Sequence, residues 1–309
     1  MCQGARTICR ALNGPARARR LQSAMEYLMT YGWAILVIAV VLGVLYSLGI
    51  FNPSNFAPKA QPGSCQVLRP NGPGTNYDLN LEGTCGGELP QYIAWMDGSA
   101  SPQVSVPDTG NWTRIENFTV SFWINPVKST QNQWPKYVGF EGCGGGDGWI
   151  VSGGEYNNPP YVSISFSAPS PSCWSFGGPS APISANGWSL VVYTVNIPGN
   201  VISVYTDGKL RGTSAADGQY YAGQGTFGIG YEGMEAGFAN VQFYNGTLSA
   251  NSIMSLYDEG VGGVPIELQK LVGWWPLNGN ANDYSGNGNN GVPSNAIYTG
   301  AWQEDYTAP

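Results

Sequence analysis

Between Glu26 and Lys59 no side chain is charged, and within that gap Tyr27–Phe51 is an almost unbroken apolar run. Twenty-five such residues make about 37 Å of α-helix, enough to cross the hydrocarbon layer of a bilayer with some tilt. The sequence therefore predicts one transmembrane helix near the N-terminus. The flanking charge is lopsided: residues 1–21 hold Arg6, Arg10, Arg17, Arg19 and Arg20 and no acid, whereas 52–309 hold 19 acids and 8 bases, a charge of −11. The positive-inside rule then puts residues 1–21 in the cytoplasm and everything after Phe51 outside, a single-pass cell-membrane protein. A cleaved secretory signal would have a shorter apolar region and a small-residue site after it, which is missing beyond Phe51.

The rest of the chain reads as strands. Gly 44, Pro 22, Tyr 18 and Trp 11, with 11% charged residues where about 25% is usual, favour turns and sheets over surface helices. Phe118, Val120, Phe122 and Ile124 alternate with Thr119, Ser121 and Trp123, which assigns the first set to one face of a sheet. YVSISF at 161–166, WSLVVYTV at 188–195, VISVYT at 201–206 and GFANVQFY at 237–244 read similarly, and Asp207-Gly208 directly after the third is a hairpin signal. Only ANSIMSLYDE reads as a helix, with Ser249 as its cap and Gly260 as its end. The expected fold is all-β, an antiparallel β-sandwich behind one N-terminal transmembrane α-helix.

Function narrows by exclusion. Without histidine, no Ser-His-Asp triad, Cys-His pair or His-ligated metal site can exist. The acidic body repels nucleic-acid phosphate, so no nucleic acid is expected as a partner. Residues 52–63, rich in Pro and small polar residues, read as a linker, leaving 64–309 as the exterior domain. That domain holds Cys65, Cys85, Cys143 and Cys173, which allow three disulfide connectivities; 65–85 and 143–173 are favoured because each closes a short loop. Asn111, Asn117 and Asn245 each open an N-x-[ST] glycan acceptor.

The stretch RARRLQSAMEYLMTYGWAILVIAVVLGVLYSLGIF resembles the class III signal of archaeal type IV pilin-like proteins. The resemblance implies cleavage between Leu21 and Gln22, although family members usually carry Gly or Ala where Leu21 stands. It also makes Glu26 the fifth residue of the mature chain, where the family carries a glutamate. A lone carboxylate at the head of an apolar helix is costly unless paired, and the α-amino group of a neighbouring subunit would pair it. Residues 22–51 would then assemble as a homo-oligomeric bundle. The alternative is an uncleaved signal anchor, with Glu26 at the headgroup interface.

Three further stretches, Met96–Pro126, Val192–Thr213 and Gly237–Gly260, resemble the concanavalin A-like, laminin-G-like jelly roll in order and spacing. A fourth, LVGWWPLNGNANDYSGNGNNG at 271–291, resembles the opening strand of that family yet comes last. Either it adds a strand to the same sandwich or it is the remnant of a second repeat, and the 18 residues after Gly291 are too few for another sandwich. Some family members bind calcium at the sandwich rim, and Asp97, Asn282 and Asp283 match loop positions that could supply oxygens; Asp and Asn before Gly also make turns on their own account. Others bind glycans, for which Trp149 and Trp174, each near a cysteine in a Gly/Ser-rich loop, are the expected platforms. Trp274 and Trp275 must point to opposite faces of their strand.

Related jelly rolls include glycoside hydrolases, which need two carboxylates flanking the sugar. Their Glu-x-Asp-x-x-Glu strand is absent, and Glu232 with Glu235 in YEGMEAG is the nearest acidic cluster. The expectation is a membrane-anchored surface protein that presents a lectin-like sandwich for adhesion to glycans or surface proteins, without catalysis, as a pilin-like filament subunit or as a signal-anchored receptor. A carbohydrate-active enzyme is the third reading.

Overall fold

A computed structural model of the chain describes the backbone of residues 16–47, 65–67, 77–79, 89–99, 102–110, 115–127, 135–140, 148–154, 160–167, 176–185, 187–216, 225–231, 235–303, 306 and 309. Side chains are described at 29, at 31–45 and, from 89 onward, at all of those residues but 176. The chain divides into two compact units, Met1–Pro58 and Lys59–Pro309.

The first unit contains helix α1 (Ala16–Ser47), a continuous helix over the Arg-rich end and most of the apolar run. Its described side chains are exposed nearly all round, Met29, Trp33 and Ile38 among them. Among the described residues, no helix is long and apolar enough to cross a membrane. Leu21, Gln22 and Glu26 lie on α1, with side chains outside the described residues.

The second unit opens with a two-stranded ladder of β1 (Cys65–Val67) and β2 (Tyr77–Leu79). Its body is a sandwich of β3 (Ile93–Met96), β4 (Val104–Val106), β5 (Asn117–Pro126), β6 (Lys136–Phe140), β7 (Gly148–Gly154), β8 (Tyr161–Ser167), β9 (Phe176–Pro182), β10 (Ser189–Asn196), β11 (Val201–Thr206), β12 (Lys209–Ser214), β13 (Phe227–Ile229), β14 (Ala236–Asn245), β15 (Leu271–Trp275), β16 (Val292–Pro293) and β17 (Ile297–Thr299). One sheet runs β12-β11-β10-β5-β14-β3-β17, with β15 also on β14; the other runs β16-β4-β13-β6-β7-β8-β9. Every described pairing is antiparallel, as in a jelly roll.

The period-two pattern of β5 explains how the layers meet. Phe118, Val120, Phe122 and Ile124 enter the core between the sheets, while Trp123 faces away. Trp123 is nevertheless buried, because the outer face of this sheet is itself covered. Helix α2 (Ala250–Asp258) lays Ile253 and Leu256 over it, joined by Trp188, Leu248, Val261, Trp302 and Tyr306 in a second apolar cluster. Ser249 caps α2 as its sequence suggests, its hydroxyl accepting from the N–H of Ser252 at 3.1 Å. The β11–β12 turn forms where Asp207-Gly208 predicts it. Both residues have positive φ, 51° and 72°, the pair a type I′ turn needs.

The stretch 271–291 belongs to the same sandwich. β15 pairs with β14 in one sheet, and just beyond the stretch β16 pairs with β4 in the other. β17 then returns to β3, so the C-terminal segment ties both sheets together.

Trp149 departs from its expected role as a glycan platform. It lies on β7 inside the core with no exposed surface, stacked on Phe118 at 4.9 Å and on Phe243 at 6.1 Å between ring centroids. Two of the glycines that follow it, Gly153 and Gly154, lie in the same strand and pack against the Tyr137 and Tyr161 side chains. Trp174, Cys85, Cys143, Cys173, Asn111, Glu232 and the whole 52–63 linker lie outside the described residues, as does the side chain of Cys65.

Candidate functional site

A bulge in β14 sets the site. Between Ala239 and Gln242 the register to β5 shifts, and Asn240 takes a left-handed backbone with φ 52°. Asn240 is buried and both ends of its amide are hydrogen-bonded. Its Oδ1 accepts from the Trp274 indole N–H at 2.7 Å and from Gln242 Nε2 at 2.9 Å, and its Nδ2 donates to the Gly263 carbonyl at 2.7 Å. Tyr244 extends the chain by donating its hydroxyl to Gln242 Oε1 at 2.6 Å, and burial pushes that phenol well above its ordinary range. The bulge therefore fixes Trp274 of β15 through a buried, satisfied polar network.

A second left-handed residue faces the bulge. The Asn240 N–H donates to the carbonyl of Pro276 at 3.1 Å, and the next residue, Leu277, is fully buried with φ 58°. A bulky residue in that region is strained by about 1–3 kcal/mol, and such strain tends to collect at binding sites. Leu277 turns the chain so that Asn278 accepts from the Tyr92 N–H at 2.8 Å. Gly279, at φ 86°, then packs against the Tyr92 ring, where an added Cβ would stand 3.3 Å from it.

These turns open a groove of about 550 Å³. Trp274 and Tyr284 meet at 6.1 Å with their planes 67° apart, forming one corner, and Tyr92 and Pro276 contribute further apolar surface. Val261, Gly262 and Val264 line the groove as well. Val261 is held by its N–H, which donates at 3.1 Å to the Tyr306 hydroxyl, a phenol that burial pushes up to about 12. Two apolar side chains on this surface are strongly exposed, Val264 at 56% and Tyr284 at 54%. The size lies within the usual range for small-molecule sites. Its combination of aromatic faces with asparagine amides suits a sugar ring, which offers apolar C–H faces and equatorial hydroxyls.

The Asn-rich loop beside the groove accounts for two of the residues expected to hold calcium. Asp283 accepts four hydrogen bonds, from the N–H groups of Trp274, Ser285 and Asn289 and from the Ser285 hydroxyl, at 2.8–2.9 Å. Both of its oxygens are thus committed to folding the loop onto the free edge of β15, where Asn289 Nδ2 also donates to the Val272 carbonyl at 2.8 Å. Asn282 is exposed beside it, its N–H donating to Asn280 Oδ1. Asp97 stands in a different turn, accepting from the Ser99 N–H and from Gln103 Nε2, and the Ser99 hydrogen bonds hold its carboxyl below the ordinary carboxylate range. Asp97 and Asp283 share no partner. Among the described residues, no group of three or more Asp, Glu, Cys or His side chains could hold a metal ion.

The acceptor asparagines differ. Asn245 is exposed at the end of β14, whereas Asn117 sits in β5 with its Oδ1 buried and its acceptor Thr119 fully buried. Glu235 is exposed just before β14 and does not line the groove.

The groove draws on four separate segments, 89–92, 240, 261–264 and 274–284, so sequence reasoning passed over it. One signal was available. Trp274 and Trp275 do point to opposite faces, Trp275 into the core and Trp274 into the groove.

Comparison with known proteins fits this architecture. Residues 97–254 match the family described as the concanavalin A-like lectin/glucanases superfamily. None of the curated proteins compared is significantly similar to the chain. Among solved structures, a candidate carbohydrate-binding protein from Bacteroides ovatus is 15% identical with a TM-score of 0.47, the match covering 69% of this chain and 60% of that one. The chain thus spans about three fifths of that relative's length. The heptameric SAP-like pentraxin of Limulus polyphemus is 12% identical, covering 54% of this chain and 82% of its own, with a TM-score of 0.40. The CBM40 of a Ruminococcus gnavus sialidase, bound to α2,3-sialyllactose, is 10% identical, with 56% and 96% coverage and a TM-score of 0.38.

Proposed function

The chain belongs to the concanavalin A-like lectin/glucanases superfamily, and from that premise we propose that it is a membrane-anchored cell-surface protein whose sandwich recognises glycans through the groove at Tyr92, Trp274 and Tyr284. The observation that carries this reading is the groove itself, an aromatic corner braced by strained, hydrogen-bonded turns and left open at Tyr284 and Val264. Such preorganisation costs stability unless a ligand uses it. Binding is favoured over hydrolysis because none of the described residues that line the groove carries a carboxylate, and glycoside hydrolysis needs a pair of them.

Anchoring is supported by the apolar run 27–51 between a +5 leader and a −11 body, and by the helical backbone from Ala16 to Ser47. The class III signal resemblance favours cleavage before Gln22 and assembly of the helices through Glu26 into a filament that displays the sandwich. A retained leader would leave a signal-anchored receptor. Intact mass and terminal peptide sequencing of protein from its native membrane separate the two: a Gln22 start supports the filament, and a Met1 or Cys2 start supports the anchor.

Glycan recognition is tested on a glycan array with the full chain and a Tyr284→Ala variant. The expected result is binding by the wild type that the variant loses. Binding that survives in the variant would place recognition elsewhere on the sandwich.

A further inference from the structure

We infer that the groove selects neutral saccharides, an uncharged hexose or N-acetylhexosamine unit, and turns away sialylated, uronate-bearing and sulfated glycans. This rests on the groove being the glycan site. Among the thirteen residues that line it there is no lysine, arginine or histidine to meet an anionic sugar. A carboxylate brought into such a site loses hydration with no countercharge to replace it.

Among the described residues, the charged side chains hydrogen-bonded to the groove's lining residues have the same sign as an acidic sugar. Glu259 Oε2 accepts from the N–H of the lining residue Val264 at 2.9 Å, and Asp283 Oδ1 accepts from the N–H of the lining residue Trp274 at 2.9 Å. Two carboxylates are therefore each one hydrogen bond from a lining residue, within a body whose charge is −11 from residue 52 onward. A cleft flanked by one sign of charge concentrates that field and repels a like-charged ligand.

The hydrogen-bonding groups left over in the groove suit hydroxyl and acetamido oxygens. Asn278 uses Oδ1 on the Tyr92 N–H and keeps both Nδ2 hydrogens. Asn280 spends one Nδ2 hydrogen on the Tyr284 hydroxyl and keeps the other, while its Oδ1 accepts from the Asn282 N–H. Tyr284 accepts there and retains its own O–H for donation, as does Tyr92, which accepts from Gln91 Nε2 at 3.0 Å. All of these are neutral donors, and Val264 offers an exposed apolar surface that an N-acetyl methyl can cover.

The test uses the full chain in detergent on an array of neutral oligosaccharides printed beside their sialylated, glucuronylated and sulfated counterparts, with Tyr284→Ala and Val264→Lys variants. Val264 is exposed, so the lysine can be added without disturbing the core. The expected result is binding to neutral glycans, at least about tenfold weaker binding to matched acidic ones, and a narrower gap in Val264→Lys and at raised salt. Equal or tighter binding of acidic glycans by the wild type, lost in Tyr284→Ala, overturns the selectivity and leaves the groove as the site. No binding of either class, or binding indifferent to Tyr284→Ala, overturns the groove reading and the selectivity with it.

Discussion

The indole N–H of Trp274 donates to Asn240 Oδ1 at 2.7 Å, joining β15, which comes late in the sequence, to the bulge in the central strand β14. The bond couples completion of the sandwich to construction of the groove. Asn240→Ala removes the acceptor of two donors and the donor to Gly263 while keeping a strained backbone. It should cost about 2–4 kcal/mol of stability, read as a lower denaturant midpoint with an unchanged slope.

Trp149 and Tyr284 should separate stability from recognition. Trp149→Ala opens a cavity between Phe118 and Phe243 and should cost about 3–5 kcal/mol, with glycan affinity unchanged per folded molecule. Tyr284→Ala, at an exposed site, should change stability by less than about 0.5 kcal/mol while abolishing glycan binding. Thermal unfolding and a binding titration on the same preparations check both.

Asp207 gives a pH dependence of definite sign. It sits at the β11–β12 turn, where burial raises its carboxyl above the ordinary range even though its Oδ1 accepts from the Leu190 N–H at 3.0 Å. A raised folded-state pKa means that its contribution is fully present below the unfolded value and is lost as pH rises through the folded one. Asp207→Asn keeps the acceptor and tolerates the left-handed backbone, but does not ionise. The variant should melt above the wild type at pH 7, and the difference should vanish below about pH 4. Thermal melts across that range decide it.

Of the acceptor sites Asn117 and Asn245, only the second is accessible once the sandwich has formed. Thr119, the hydroxyl residue of the first, is buried and occupied, donating to the Gly246 carbonyl and accepting from the Leu248 N–H. Glycopeptide mass spectrometry of native protein should find any glycan of this pair at Asn245 and none at Asn117.

Strand content was legible because β5, β8, β10, β11 and β14 each carry a period of two or a continuous apolar run, and the Asp207-Gly208 turn and the Ser249 cap are local signals. Trp149 misled because glycine-rich flanks mark loops in general, whereas here they flank a core strand. The groove was not legible. It depends on a bulge at Asn240 and a left-handed Leu277, both imposed by tertiary contacts, and it unites residues nearly 200 positions apart, such as Tyr92 and Asn278. Asn282 and Asp283, expected to bind calcium, lie in a loop beside the groove, and the Asp283 carboxylate folds that loop onto β15 with four hydrogen bonds.

The central claim is that glycans enter the groove beside Trp274. The most direct measurement is NMR of the full chain in detergent, with labelled tryptophan, during addition of a neutral oligosaccharide that binds on the array. The expected result is a saturable shift of the Trp274 indole N–H, with those of Trp149 and Trp275 unmoved in the core. A binding glycan that leaves Trp274 unshifted and moves Trp95, on the strand that leads into the Asp97 turn, would contradict the account.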